Sequence, residues 1–117
     1  MKFILSTHNI TLTKAIEDHI VSRVDKLERL YARAVDARVI IEHDHTRGPE
    51  KAFKCSMRIG VRGNDLYAED VEADLYAAID IVEKKIEQQI RKRQSKAKAK
   101  KHTVASRLKR KRQDVAD

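Results

Sequence analysis

The sequence predicts a two-layer α+β domain, a β-α-β-β-β-α sandwich with a four-stranded sheet and both helices on one face. Two stretches repeat apolar residues at helical spacing: Ile16, Ile20, Val24, Leu27 and Tyr31, then Leu75, Ile79, Val82, Ile86 and Ile90. Between them, Phe53, Cys55, Met57, Ile59 and Val61 alternate with Lys54, Ser56, Arg58 and Arg62. Each helix has one apolar stripe and the sheet one apolar face. Both helices must therefore cover the same side of the sheet.

The elements follow in order. Residues 2–7, Lys-Phe-Ile-Leu-Ser-Thr, read as a short strand. Thr11 or Thr13 caps the first helix, with Glu17 and Asp18 near its positive end, and the helix runs to about Ala32. Val21 and Leu30 flank its stripe; Lys14, Arg23, Lys26, Arg29 and Arg33 lie off it. In the second strand Ala37, Val39, Ile41 and His43 alternate with Arg38, Ile40, Glu42 and Asp44. A right-handed parallel crossover through the helix is the expected link between the first two strands. A polar loop with Gly48 and Pro49 leads to the third strand, 53–62, whose outer face is basic and wet. Gly63-Asn64 turns tightly into a fourth strand, 65–71, with weaker alternation. Asp74 then starts the second helix, and beyond about Gln94 its apolar period gives way to Lys, Ala, Arg and Gln.

Charge divides the chain into a folded domain, 1–95, and a basic tail, 96–117. Twelve of the 26 Lys and Arg residues lie between Arg91 and Arg112 with no acid among them. That leaves 14 basic and 16 acidic residues in 1–90, so the positive field belongs to one end. Such a field points to a polyanionic partner, nucleic acid first. The tail cations Lys96, Lys98, Lys100, Lys101, Arg107, Lys109, Arg110, Lys111 and Arg112 are candidate phosphate contacts on a segment expected to be disordered until something negative orders it. A solubilising extension is the plain alternative, and twelve cations are excessive for that. A nuclear address in Leu-Lys-Arg-Lys-Arg is not decidable from composition. A membrane-surface segment would want more bulky apolar residues than Val104 and Leu108.

Other classes find less support. The single cysteine, Cys55, makes no internal disulfide, suits a reducing compartment and reads as a small core residue. The N-terminus turns polar too soon for a signal peptide, and no apolar stretch approaches the roughly 20 residues of a membrane span. A cytoplasmic protein with neither membrane nor small-molecule partner is expected. His43 and His45 are expected on opposite faces of a strand, a poor chelate, with no Cys pair beside them; no metal and no cofactor are expected. With Gly48, Gly60 and Gly63 the only glycines, there is no phosphate loop, and an enzyme is not expected. Tyr31, Tyr67 and Tyr76 are not spaced as a stacking platform, so recognition should rest on phosphate and shape. Arg23, Lys26, Arg29, Lys84, Lys85, Arg91 and Lys92 are the candidates on the helices, with Asp25, Glu28, Glu83 and Glu87 blunting their field.

Gly63-Asn64-Asp65-Leu66-Tyr67-Ala68-Glu69-Asp70, Asp74-Leu75-Tyr76-Ala77-Ala78-Ile79-Asp80, Lys85-Ile86-Glu87 and Gln89-Ile90-Arg91-Lys92 resemble the ribosome hibernation-promoting factor / ribosome-associated inhibitor family. Thr13-Lys14-Ala15-Ile16 and Arg23-Val24-Asp25-Lys26-Leu27-Glu28 match more loosely. The resemblance covers residues 1 to about 95, and the β-α-β-β-β-α order is also the family's. It implies a stress or stationary-phase factor, monomeric off the ribosome. Such a factor docks on the small ribosomal subunit and its rRNA, fills the mRNA/tRNA channel and blocks translation. It carries rRNA binding onto Arg23, Lys26, Lys85, Arg91 and Lys92, with Gln89 beside them, and leaves Asp74, Tyr76 and Asp80 structural, as helix cap, packing and helix-start charge. Gln88 departs from a position where a basic residue is common. Long members add a C-terminal domain that pairs ribosomes; the remaining residues here suit a short form. The alternative is a general double-stranded-RNA or nucleic-acid binding protein or chaperone whose tail supplies the affinity.

Overall fold

The computed structural model describes the backbone of residues 1–116 and the side chains of residues 1–96. Its elements are β1 (Lys2–His8), α1 (Lys14–Leu30), β2 (Asp36–His43), a 3₁₀ turn (Pro49–Lys51), β3 (Phe53–Gly60), β4 (Leu66–Glu72) and α2 (Leu75–Ala116). The sheet order is β1-β2-β3-β4, with β1 parallel to β2 and the other pairs antiparallel. The expected α+β sandwich is the observed one. The segment expected to be disordered, 96–117, falls on residues whose side chains, Lys96 apart, lie outside those described.

Local chemistry sets the boundaries. Thr13 caps α1, its Oγ1 accepting from the Ile16 amide at 3.2 Å. Asp74 does the same for α2, accepting from the Ala77 amide at 3.1 Å. The third strand ends at Gly60, earlier than the period suggests, because the Val61 amide turns to the Asp65 carboxylate at 3.3 Å. Gly63 sits at φ 98°, a left-handed value glycine adopts without strain, and so makes the turn into β4.

The period-two pattern becomes the core. Ala37, Val39, Ile41, Cys55, Met57, Ile59, Leu66 and Ala68 are buried on the inner face of the sheet. Ile20, Val24 and Leu27 of α1, with Ile79, Val82, Ile86 and Ile90 of α2, close over them. Both apolar stripes therefore face the same way, and the helices lie side by side. Burial pushes the Cys55 thiol up to about 12, helped by the nearby Asp70 carboxylate, so it stays protonated inside the core.

The seam between the helices is polar. Asp80 of α2 accepts from His19 Nε2 and Arg23 Nε of α1, each at 2.8 Å, and Tyr76 packs edge-on to His19 with ring centroids 5.0 Å apart. The structure corrects one expectation here: Asp80 is the anchor of a cross-helix cluster, not a helix-start charge, because it lies on the second turn and faces α1. Burial raises its pKa, but the hydrogen bonds from Arg23 and His19 outweigh that and hold it below the usual Asp range. Further along, Glu83 is only 2% exposed. Its Oε1 has no hydrogen-bond partner among the described residues, and Lys26 Nζ stands 3.6 Å from it and 3.5 Å from Glu87. Burial lifts the Glu83 pKa, and Lys26 recovers only part of that cost.

Ile86→Ala should destabilise the domain by about 2–5 kcal/mol in urea unfolding, the cost of a cavity under both layers. Glu83 and Asp80 predict opposite pH effects. With its pKa raised, Glu83 favours folding below the ordinary Glu range and loses that contribution as pH rises through its folded value. With its pKa lowered, Asp80 contributes above the ordinary Asp range and loses it only as pH falls through its own folded value. Lys26→Ala should therefore cost about 1–3 kcal/mol at neutral pH, where it strands a buried anion, and less near pH ~4.3, where Glu83 holds a proton. Glu83→Gln in the same background should abolish that pH dependence in the unfolding curves.

Candidate nucleic-acid interface

The helix pair sorts the candidate cations by what each already touches. Arg23 and Lys26 reach across the seam to Asp80, Glu83 and Glu87, Arg23 partly buried and Lys26 still half exposed to solvent. They are positioned by α2 as much as by their own helix. Arg29 is exposed, its Nε within 3.4 Å of the Asp25 carbonyl one turn back.

On α2, Arg91 makes a two-pronged contact with Glu87, at 3.2 Å from Nε and 2.8 Å from Nη2. That hydrogen bond, ahead of the nearby Lys26, lowers the Glu87 pKa and keeps it ionised. Lys85 donates to the Glu69 carbonyl at 3.1 Å and lies 3.5 Å from the Asp70 carboxylate. Lys84 and Lys92 are exposed and have no charged partner among the described residues. They fall eight residues apart with Gln88 midway, so the three form one solvent-facing stripe. Lys96 extends that stripe by another turn and is also exposed. The other tail candidates, Lys98, Lys100, Lys101, Arg107, Lys109, Arg110, Lys111 and Arg112, lie outside the described side chains.

Gln89 has a role that spacing did not reveal. Its Nε2 donates to the Tyr67 carbonyl at 2.7 Å and its Oε1 accepts from the Tyr67 amide at 3.3 Å. The carboxamide thus satisfies both outward groups of one residue on the edge strand β4, as a neighbouring strand would. Lys85, one turn earlier, does the same for the Glu69 carbonyl. Between β4 and α2 lies an open groove of about 470 Å³ lined by Tyr67, Glu69, Lys85, Gln88, Gln89 and Lys92.

His43 and His45 depart from expectation. Their ring centroids are 3.9 Å apart and tilted by 59°, because β2 ends at His43 and the turn that follows, held by the Asp44 carboxylate on Thr46, brings His45 back beside it. His43 also stacks on Phe53 at 4.5 Å with an interplanar angle of 12°. Among the described residues no three His, Cys, Asp or Glu side chains gather as a metal site. No helix among them is long and apolar enough to cross a membrane. What the helix face offers chemically is a set of exposed cations, some free of charged partners among the described residues and some paired with partly buried carboxylates. A second basic area lies on the outer sheet face, where Arg38 of β2 and Arg58 of β3 are exposed; the alternation of both strands carries its signal.

Residues 3–98 match the family model described as Sigma 54 modulation protein / S30EA ribosomal protein. Relatives named ribosome hibernation promotion factor include one from Deinococcus radiodurans, 31% identical over 88 residues, covering 75% of this chain and 46% of the relative. Another, from Bacillus subtilis, is 33% identical over 100 residues, covering 86% of this chain and 52% of the relative. The chain thus spans about half the length of these curated relatives. Among solved structures, the Protein Y N-terminal domain of Thermus thermophilus superposes with a TM-score of 0.67 at 25% identity, over 79% of this chain and 98% of that one. A ribosomal subunit interface protein from Coxiella burnetii shares the fold, with a TM-score of 0.70 at 14% identity over 81% of this chain and 99% of its own. The resemblance read in the residues around Tyr67, Asp74 and Gln89 agrees with these matches: the chain belongs to the Sigma 54 modulation protein / S30EA ribosomal protein family.

Proposed function

We propose that this chain is a ribosome hibernation factor, a non-enzymatic cytoplasmic protein that binds small-subunit rRNA in the mRNA/tRNA channel and blocks translation by occupying it. The observation that carries the reading is the family match across residues 3–98, which spans every buried residue of the domain. The electrostatics support it. Lys84 and Lys92 are unpaired among the described residues and Arg29 touches only a carbonyl, so these three reach phosphate at no cost in broken ion pairs. Arg91 and Lys85 are themselves exposed, with partly buried Glu87 and Asp70 as partners, so phosphate can reach both cations in competition with those carboxylates. Arg23 and Lys26 complete the face from the seam, and Gln89 holds the β4 edge beside it. The cations of 96–117 add reach and field strength.

The long run of tail cations favours a second reading, a general double-stranded-RNA binder. Gradient sedimentation of the full chain with ribosomes, competed by generic duplex RNA, separates the two. Retention on the small subunit in excess duplex is expected; equal displacement would favour the general binder, and protein left at the top of the gradient at low salt would sink both. Lys84→Gln with Lys92→Gln should flatten the salt dependence of log K by about 0.7–0.9 for each contact removed. Deleting residues 96–117 should flatten it further without unfolding the domain, since the last buried residue of α2 among those described is Ile90.

A further inference from the structure

Among the described residues no layer covers the outer face of the sheet. Strand register puts Ile4, Arg38, Arg58 and Tyr67 in one row across all four strands. Arg38 and Arg58 are direct cross-strand neighbours, both exposed, and like charges in that relation repel. Arg58 is partly compensated by Asp65 at 3.7 Å and by the Tyr67 ring, whose centroid is 5.2 Å from its guanidinium carbon. Arg38 has no carboxylate partner among the described residues. The row borders an open hollow of about 410 Å³ that also takes in Ile40, Lys54 and Ser56. Glu42 also lines the hollow, directly across from Lys54 on the next strand. Of the other acids nearby, Glu69 accepts from the Tyr67 hydroxyl at 2.9 Å and faces Lys54 at 3.4 Å, and Asp65 accepts from the Val61 amide. Those contacts, the Tyr67 hydrogen bond foremost and then Lys54, lower the Glu69 pKa and keep it ionised, with Lys54 beside its charge.

Tyr67 connects this hollow to the other basic surface. It is 43% exposed and lines both the outer hollow and the groove beside α2 that holds Lys85, Gln88 and Lys92. A basic track therefore leaves α2, crosses the β4 edge at Tyr67 and reaches the Arg58–Arg38 pair. We propose that this track is a second RNA site, in which Arg38 and Arg58 clamp the phosphates of a single-stranded RNA segment that passes over Tyr67. Two adjacent guanidinium forks suit bidentate phosphate binding, and an anion between them removes their mutual repulsion. The track turns around the edge of one strand, a bend that a flexible single strand follows and a stiff duplex does not. Tyr67 and Ile40 give an unstacked base an apolar surface to rest on. The site rests on the RNA-binding reading of the helix face and adds a face that reading does not use.

The test is fluorescence anisotropy of the full chain with a short labelled polyuridine oligonucleotide across a salt series, run beside ribosome sedimentation. Arg38→Gln with Arg58→Gln should weaken polyuridine binding about tenfold or more and flatten the salt slope by about 0.7 for each guanidinium removed. Arg38→Lys with Arg58→Lys, which keeps the charge, should retain most of the slope. Both pairs are exposed, and circular dichroism should show native folding. If the glutamine pair binds polyuridine like the parent while Lys84→Gln with Lys92→Gln is weakened, the sheet site is refuted and the helix-face reading stands. The same holds if the parent sediments with ribosomes but does not bind polyuridine. Failure of both assays would remove both readings, and equal competition by duplex RNA would overturn the single-strand assignment.

Discussion

Everything in this molecule depends on burying one face of one sheet. Val39, Ile41, Met57 and Ile59 can be covered only by elements carrying apolar stripes of their own, and α1 and α2 are the two available. Each fully buried aliphatic side chain contributes about 1.5–3 kcal/mol, far more than an exposed ion pair. Apolar packing therefore dictates where the helices lie, and the charges accommodate themselves to it. The helix seam and the uncovered outer face both follow from that arrangement.

Within the seam the accommodation has a cost. Glu83 is an acid inside a largely apolar contact, offset only by Lys26 at 3.6 Å. Asp80 is better served, with two donors at 2.8 Å. Together they draw Arg23 and Lys26 inward, which makes the helix pair a rigid support for the cations that remain outside. Lys84 and Lys92 keep their charge available to a partner because the same helix turns its apolar stripe the other way. Structural and binding charges are thus separated by helical phase, on one element.

The edge strands show a related economy. An open β4 edge would invite pairing with another chain, and α2 closes part of it with the side chains of Gln89 and Lys85. A residue that looks like one more polar group on a basic helix is, in place, a substitute strand. Lys85 is held over the groove by its own bond to the β4 edge, so there protection of the edge and presentation of charge are one arrangement.

Periodicity made most of the architecture legible. The stripes at Ile20, Val24 and Leu27 and at Ile79, Val82 and Ile86, with the alternation around Met57, settle which faces are buried, because burying apolar area is what chiefly drives folding and it leaves a regular signature. The caps at Thr13 and Asp74 were legible for a similar reason: capping is chemistry between residues three apart. Partners distant in the chain left no such trace. That Arg23 meets Asp80, that Lys26 holds a buried Glu83, and that Gln89 fills the bonds of Tyr67 depend on how two elements are placed in space, over separations of 57, 57 and 22 residues. The adjacent rings of His43 and His45 depend on where β2 ends and the chain turns, at His43, which alternation alone does not mark. Which residues go inside is local and repetitive, so the chain spells it out; which charges are spent and which stay available is a matter of three-dimensional distance, and only the packed helices and sheet set it.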